Sequence, residues 1–321
     1  MIDTVFEFLK RHNSLIITTH ENPDPDGLGA EMVFSQISES MGKKVLIVNS
    51  SPTPEQYRFM DTENIIQAWE GTGENIPKGF ALVIMDTSDE YNIGKIKEYI
   101  PHSAEVFLID HHEHNEFCTF DCWIDNKASS TCELAVELAL AAGINLTKKN
   151  CLAAFAGLAY DTGFFAYSKT TARTFKAAMA LTESGINPYE IYSQFYEKAS
   201  VAKLRLEKTV LSSMEIMNNN RLVIQILRKE DIENSGANPE DSDGFINTPL
   251  KCRDVEVSVL LKESNDGITR CSLRSKGKIN VAKIAQSLGG GGHITASGFK
   301  SQLDIEGTKS MILDRINKEL G

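Results

Sequence analysis

Four apolar runs mark the first half of the chain: SLIITTH (14–20), KVLIVNS (44–50), FALVIMD (80–86) and AEVFLID (104–110). Each is continuous rather than alternating, the pattern of strands buried on both faces of a parallel sheet. Stretches with helical spacing fall between and after them. GLGAEMVFSQISESMG (27–42) ends on a glycine stop, STCELAVELALAAG (130–143) predicts a helix with Gly143 past its end, and TTARTFKAAMALTESG (170–185) another with Thr170 or Thr171 as N-cap. Strand, helix, strand implies right-handed crossovers, hence an α/β domain with a parallel sheet and helices on both faces.

The pattern changes at Pro188. PYEIYSQFYEKASVAKLRLEKTVLSSMEIM reads as one long helical connector, and after Asn218–Asn220 the texture becomes strand-like in RLVIQILRK (221–229), DVEVSVLLKES (254–264) and GITRCSLRS (267–275). Asn265-Asp266-Gly267 between the last two is a hairpin signal. VAKIAQSL (281–288) predicts a short helix followed by four glycines. The expected organisation is an α/β domain over 1–187, a helical linker over 188–218 and a smaller α+β domain over 219–321.

Length and charge narrow the function. The 321 residues suffice for two domains with their own cores. Lys plus Arg number 33 against 44 Asp plus Glu, a net charge of −11, whereas proteins that hold long nucleic acid carry a basic excess. A phosphate ligand must therefore be small, or be held by a local basic patch or by metal ions; long duplex nucleic acid is not an expected partner. No run reaches the ~18 apolar residues of a membrane span, and Asp3, Glu7, Lys10 and Arg11 interrupt the first apolar stretch, unlike a secretory signal. The six cysteines (118, 122, 132, 151, 252 and 271) form no Cys-x-x-Cys pair, so reduced thiols in a cytoplasmic protein are expected rather than a zinc cluster.

The strand ends carry the chemistry. The first run ends at His20 and leads into Asp24 and Asp26, the third ends at Asp86, and the fourth ends at Asp110-His111-His112; Asp161 follows the apolar segment CLAAFAGLAY. Carboxyl ends of strands in an open parallel sheet face one crevice, where ligands bind. Singly, Asp24 and Asp26 read equally as helix caps, and Asp86 and Asp161 as turn residues. Together they bring three histidines and five aspartates to one rim, and so many carboxylates need a counter-charge, which a pair of divalent cations supplies. Mixed His and Asp donors favour manganese, cobalt or zinc over an all-oxygen magnesium site. Two adjacent cations suit hydrolysis at phosphorus.

The series His20-Glu21-Asn22-Pro23-Asp24-Pro25-Asp26-Gly27, Asp86, Asp110-His111-His112 and Asp161 resembles the DHH phosphoesterase superfamily. Gly289-Gly290-Gly291-Gly292-His293 resembles the DHHA1 domain that follows it, and length and plan resemble the NrnA-like oligoribonuclease and adenosine 3′,5′-bisphosphate phosphatase group. The resemblance implies that His20 and Asp24 hold one ion, that Asp26, His111 and Asp161 hold the other, and that Asp86 bridges them. It gives His112 the scissile phosphate and leaving-group side, Asp110 the orientation of the histidines, and a bridging hydroxide the role of nucleophile. Two manganese ions are the implied cofactors, with magnesium or cobalt as substitutes. The implied substrates are short single-stranded RNA or a small nucleotide: nanoRNA, pApA or adenosine 3′,5′-bisphosphate. Cyclic di-AMP, or pyrophosphate and polyphosphate, are the alternatives. A homodimer is compatible with this plan.

In the smaller domain Gly290, Gly291 and Gly292 are expected to approach a ligand closely, with amides donating to phosphate and His293 adding a side chain at the same pocket, which the resemblance makes the nucleotide end of the substrate; the bland reading is a linker. Arg274 and Ser275 match a substrate-phosphate position, and with Lys276, Lys278 and Lys283 make a basic patch; the bland reading is an edge-strand surface charge. The sequence departs from the pattern after Asp161-Thr162-Gly163. Phe164-Phe165-Ala166-Tyr167 stands where relatives carry a cationic or polar residue, and Tyr160 replaces a threonine. Phe165 or Tyr167 is placed to stack on a base or to pack in the core.

Overall fold

The computed structural model describes residues 1–69, 79–113, 119–264 and 267–320. They form two compact units, Met1–Lys198 and Ala199–Gly321.

The first unit is built on six parallel strands: β1 (Ser14–Thr18), β2 (Lys44–Asn49), β3 (Ile66–Ala68), β4 (Ala81–Met85), β5 (Val106–Asp110) and β6 (Asp121–Ile124). Their order is β3-β2-β1-β4-β5-β6. The chain builds outward from β1 in one direction and then from β4 in the other. A crevice opens between the carboxyl ends of these two neighbours. The apolar runs become strands because both faces are covered. Leu15, Ile17, Val83, Met85, Phe107 and Ile109 enter one core, and Ile16, Leu82, Ile84, Val106 and Leu108 the other, alternating along each strand.

The first face packs against α1 (Ile2–Arg11), α2 (Pro25–Ser40), α3 (Thr131–Ala141) and α4 (Lys148–Asp161), flanked by α5 (Ala172–Thr182) and α6 (Pro188–Tyr196). The second face is covered by Ile93 and Ile96 of a 3-10 segment, Glu90–His102, so the helical cover of the two faces is unequal. The segment CLAAFAGLAY lies within α4, which puts Asp161 on the last residue of a helix, not of a strand.

The second unit contains α7 (Val201–Ser212), β7 (Glu215–Met217), β8 (Leu222–Leu227), α8 (Lys229–Ser235), β9 (Val257–Glu263), β10 (Thr269–Ser275), α9 (Val281–Gln286), β11 (Gly291–His293), β12 (Ala296–Ser301) and α10 (Ile305–Leu320). Its mixed sheet runs β11-β12-β10-β9-β8-β7, with β8 and β9 parallel and the other pairs antiparallel. β9 and β10 pair as the hairpin signal predicts, although Asn265 and Asp266 themselves lie outside the described residues.

The stretch 188–218, expected as a single connector, is divided between the units. Asn187 caps α6 through Tyr189 N, and the Ser200 hydroxyl accepts from Lys203 N to start α7 afresh. Among the described residues no helix is long and apolar enough to cross a membrane, and the five described cysteines form no disulfide; Cys118 lies outside them.

Candidate metal centre

The crevice between β1 and β4 gathers the histidines and aspartates of the strand ends. His20 follows β1, Asp86 follows β4, Asp110 closes β5, and His111 and His112 come next. Asp24 and Asp26 flank the start of α2, and Asp161 ends α4. His20 Nε2 lies 3.8 Å from Asp24 Oδ1 and 3.6 Å from Asp86 Oδ2. His111 Nε2 lies 3.7 Å from Asp26 Oδ2, 3.6 Å from Asp86 Oδ1 and 3.1 Å from Asp161 Oδ2. Asp86 therefore turns one oxygen toward each histidine. Within each of the sets His20–Asp24–Asp86 and Asp26–His111–Asp161, the donor atoms lie within 4.8 Å of one another. A crevice of about 450 Å³ opens beside the first set, lined also by Thr87, Ser88, Asn92, Asp110 and His112.

The local sequence explains the placement. Asp24 does cap α2, accepting from Asp26 N and Gly27 N, while the same carboxylate faces His20. Gly27 lets α2 start against β1, because a Cβ there would run into the Thr19 hydroxyl. Asp26 is not a cap of its own helix. Its two oxygens accept from Thr131 N (2.6 Å) and Cys132 N (2.8 Å) at the start of α3. The Thr131 hydroxyl donates to Asp86 Oδ1 at 2.8 Å. Asp86 itself sits at φ +63°, a strained conformation that Asp adopts more readily than most residues and that aims its carboxylate across the crevice.

Charge is concentrated here. Burial and the neighbouring carboxylates of Asp161 and Asp24 push Asp26 up to about 6, and burial with Asp26 and Asp24 pushes Asp86 well above the usual carboxylate range. Burial alone would lower His111; the carboxylates of Asp161, Asp26 and Asp86 overturn this and raise it to about 9. Both His111 nitrogens are buried without a hydrogen-bond partner, although Asp161 is within ion-pair distance. An imidazole in that state among carboxylates is the donor set that a divalent cation completes.

Asp110 holds only one of the two histidines it was expected to orient. Its Oδ1 accepts from His112 Nδ1 (2.8 Å) and from the backbone amides of His111 and His112, and it makes no contact with the His111 ring. The two rings nevertheless lie against each other, with centroids 4.3 Å apart, and Asp86, His111 and His112 bring donor atoms within 4.8 Å of one another. Burial raises the Asp110 carboxyl, but His112 more than offsets this and holds it below its ordinary value. An ionised acceptor makes Nδ1 the donor and leaves Nε2 of the exposed His112 free.

The second unit separates its expected residues. His293 on β11 and Arg274 on β10 share one sheet face, with Ala296 of β12 between them in register. Ser275 does not join them. Strand alternation turns it to the other face, where it is buried and donates to Ile279 O at 2.7 Å. The glycines are not a linker: Gly291–His293 pair with β12. The Gly290 amide is spent on Ala285 O, closing α9, and Gly290 is there because a Cβ would collide with Gly298 and Phe299. Gly291 and Gly292 remain on the edge strand. The basic patch is reduced too, since Lys276 donates to Cys252 O and Arg253 O, and Lys278 pairs with Glu256.

The profile of the DHH family, N-terminal domain, matches residues 14–160, and that of the DHHA1 domain matches residues 219–321. The chain belongs to the DHH/DHHA1 family. It is a phosphoester hydrolase by that membership. Among curated DHH relatives, the bifunctional oligoribonuclease and PAP phosphatase NrnA of Thermus thermophilus is 27% identical over 98% of this chain and 93% of its own. The cyclic-di-AMP phosphodiesterase PdeA of Listeria monocytogenes is 26% identical over 95% of this chain but only 48% of its own. Among solved DHH-type structures, an exopolyphosphatase-related protein from Bacteroides fragilis superposes with a TM-score of 0.85 at 25% identity, covering 99% of this chain and 96% of that one.

Sequence reasoning missed Thr131 and the amide of Cys132. Their only signal was the Ser129-Ser130-Thr131 cluster ahead of a helix, which reads as a cap and nothing more. It also missed the polar chain beneath His20, where Asn49 accepts from Thr19 N and Thr18 and donates to buried Glu31.

Proposed function

We propose that this chain is a manganese-dependent phosphodiesterase and phosphatase that hydrolyses very short oligoribonucleotides to nucleoside 5′-monophosphates and removes the 3′-phosphate from adenosine 3′,5′-bisphosphate. The observation that carries this reading is the Asp86 carboxylate, with Oδ2 toward His20, which shares a donor set with Asp24, and Oδ1 toward His111, which shares another with Asp26 and Asp161. Such a bridge suits two cations held side by side, which supply an ionised water and neutralise charge at phosphorus. The name and near-complete overlap of the Thermus relative support the substrate class. The free thiols suit a reducing compartment, so the cytoplasm is the proposed location.

This chain's residues divide the work. His20, Asp24, Asp26, Asp86, His111 and Asp161 hold the ions. Thr131 and the start of α3 fix two of those carboxylates. His112, oriented by Asp110, presents Nε2 to the leaving oxygen and, in its imidazolium form, gives that oxygen its Nε2 proton and returns to the neutral ring. Arg274 and His293 bind the nucleotide. The Listeria relative supports a second substrate, cyclic di-AMP, which differs in end geometry and not in phosphorus chemistry.

The test is a hydrolysis panel with manganese present and Asp86→Ala as the blank. It sets pApA, a five-nucleotide RNA, a much longer RNA, adenosine 3′,5′-bisphosphate, cyclic di-AMP and pyrophosphate side by side. Fast turnover of the short RNAs and the bisphosphate, with little on the long RNA and none by Asp86→Ala, is expected. Turnover of pyrophosphate alone would replace this reading with a pyrophosphatase.

A further inference from the structure

The segment that follows Asp161 is built around aromatic rings. Gly163, Phe164 and Phe165 are consecutive left-handed residues, at φ +55°, +53° and +66°. Two bulky side chains in that conformation are costly, and such strain persists where surrounding contacts over-determine it. Here Thr162 does so. Its hydroxyl accepts from Phe165 N at 3.0 Å, and its carbonyl accepts from Ala166 N and Tyr167 N, both at 2.9 Å.

The strained turn gives its two phenylalanines different partners. Phe165, half-buried against the core, meets Phe155 at 5.7 Å and stacks on the exposed Phe175 at 5.4 Å. Phe164, also half-buried against that core, meets Tyr192 at 5.2 Å and Tyr196 at 5.5 Å on α6. Tyr167 closes the group by lying on Gly163, where a Cβ would meet its ring at 2.5 Å. Tyr160, on the other side of Asp161, joins through Phe195, whose ring is 6.0 Å from it and 6.2 Å from that of Phe164. The four tyrosines at the rim are 40% to 62% exposed.

This surface is continuous with the candidate metal centre. Asp161, whose carboxylate lies 3.1 Å from His111 Nε2, is flanked in the chain by Tyr160 on one side and by the turn on the other. A phosphate over the two ion sets has its nucleoside one ribose away, and this rim adjoins Asp161 of the second set. The rim offers ring faces and hydroxyls and no cation in the turn itself, where Gly163–Tyr167 carries none. Rings of this kind bind any base by stacking, without reading its edge.

We propose that Tyr160, Phe164, Tyr192 and Tyr196 form a base-stacking subsite for the nucleotide adjoining the scissile phosphate. The subsite selects substrates that carry a base, and it does so with little regard to which base. This rests on the proposed function only in taking a nucleotide diester as substrate.

The test compares pApA with the same dinucleotide lacking one base, for the parent chain and for Tyr192→Ala and Tyr196→Ala. Both side chains are exposed, so folding is expected to survive, and manganese titration checks that the ion sets are intact. Each variant should lower the preference for the base-bearing dinucleotide by about ten-fold, mostly through KM. A phosphorothioate dinucleotide carrying 2-aminopurine gives a readout independent of turnover. Its fluorescence should be quenched on binding to the parent chain and less so with the variants. An unchanged preference with unchanged quenching overturns the proposal. The same result with a dimer-to-monomer shift in solution mass would make the face a contact between copies instead. If the parent chain cleaves neither dinucleotide yet quenches the probe, the proposed reaction fails and the stacking subsite stands.

Discussion

Thr131 shows how one residue, through its amide and its hydroxyl, can aim two carboxylates of the candidate metal centre. Its amide fixes Asp26 and its hydroxyl fixes Asp86, so both carboxylates are aimed before an ion arrives. Removing an outer partner of this kind lowers metal affinity by about 10–100-fold. Thr131→Val, nearly isosteric, is therefore expected to weaken manganese binding by that factor in a calorimetric titration, and Thr131→Ser to restore most of it. Equal affinity in all three would show that Asp86 is aimed by its backbone alone. His20, Asp86 and Asp110-His111-His112 could be read from the sequence because each ends an apolar run, a place where polar residues need a reason. Thr131 could not, since a threonine that caps a helix and one that aims a carboxylate look the same in one dimension. Ser275 misled for a related reason: its neighbour Arg274 faces the opposite side of the strand, and adjacency in sequence was taken for adjacency in space.

Elements were legible in proportion to how completely they are buried. The runs that became β1, β4 and β5 are buried almost throughout and β2 over its second half, and their ends were placed within two residues. β3, with three residues, and β6, with one buried residue in four, left no run long enough to signal a strand. The helical pattern of 188–218 hid a break because Ser200 reads as an ordinary polar residue until its hydroxyl is seen capping α7. The contact between α2 and α4 sets the position of Asp26. A Cβ on Gly157 would stand 2.6 Å from Pro25 O and 2.9 Å from Asp26 Cα. Gly157→Ala should therefore push α2 aside, costing about 1–3 kcal/mol of stability by urea denaturation and weakening manganese binding in the same protein. Loss of stability with unchanged metal affinity would show that Asp26 is independent of the helix contact.

At the scale of the molecule, the buried charges make stability depend on pH in a way the sequence gives no hint of. In the metal-free protein Asp26 is raised from 3.8 to about 6, Glu31 from 4.5 to about 8 and His111 from 6.5 to about 9. Burial drives the two acids upward; for His111 the carboxylates outweigh burial. In all three the folded state binds more protons than the unfolded chain between the two values, so each contribution is lost as pH rises through that window. Asp24 and Asp110 are lowered and act oppositely, but only near and below their ordinary value of 3.8. A chelator-stripped sample should show a urea midpoint that falls steadily from about pH 4 to pH 9. Saturating manganese should remove most of that slope, because the ions bind the deprotonated ligands. A flat profile in the stripped protein would contradict the charge cluster described here. The change of texture near residue 218 was visible as composition, whereas the units divide at Lys198 and Ala199, a boundary set by packing and not by the pattern of residues.

The donors of the two ion sets begin at His20 and end at Asp161, half the length of the chain, and come from the ends of three strands, the start of one helix and the end of another. No short fragment contains the site. A growing polypeptide acquires it only after α4 has left the ribosome and docked against α2, when about half of the protein has been made. An ion that needs donors from both ends of this span would be captured late in the folding of this unit, unlike a zinc finger, in which the metal nucleates the fold. Ions that need both sets would thus be held only once the surrounding sheet and helices are assembled, and a half-made chain would have no complete site for hydrolysis.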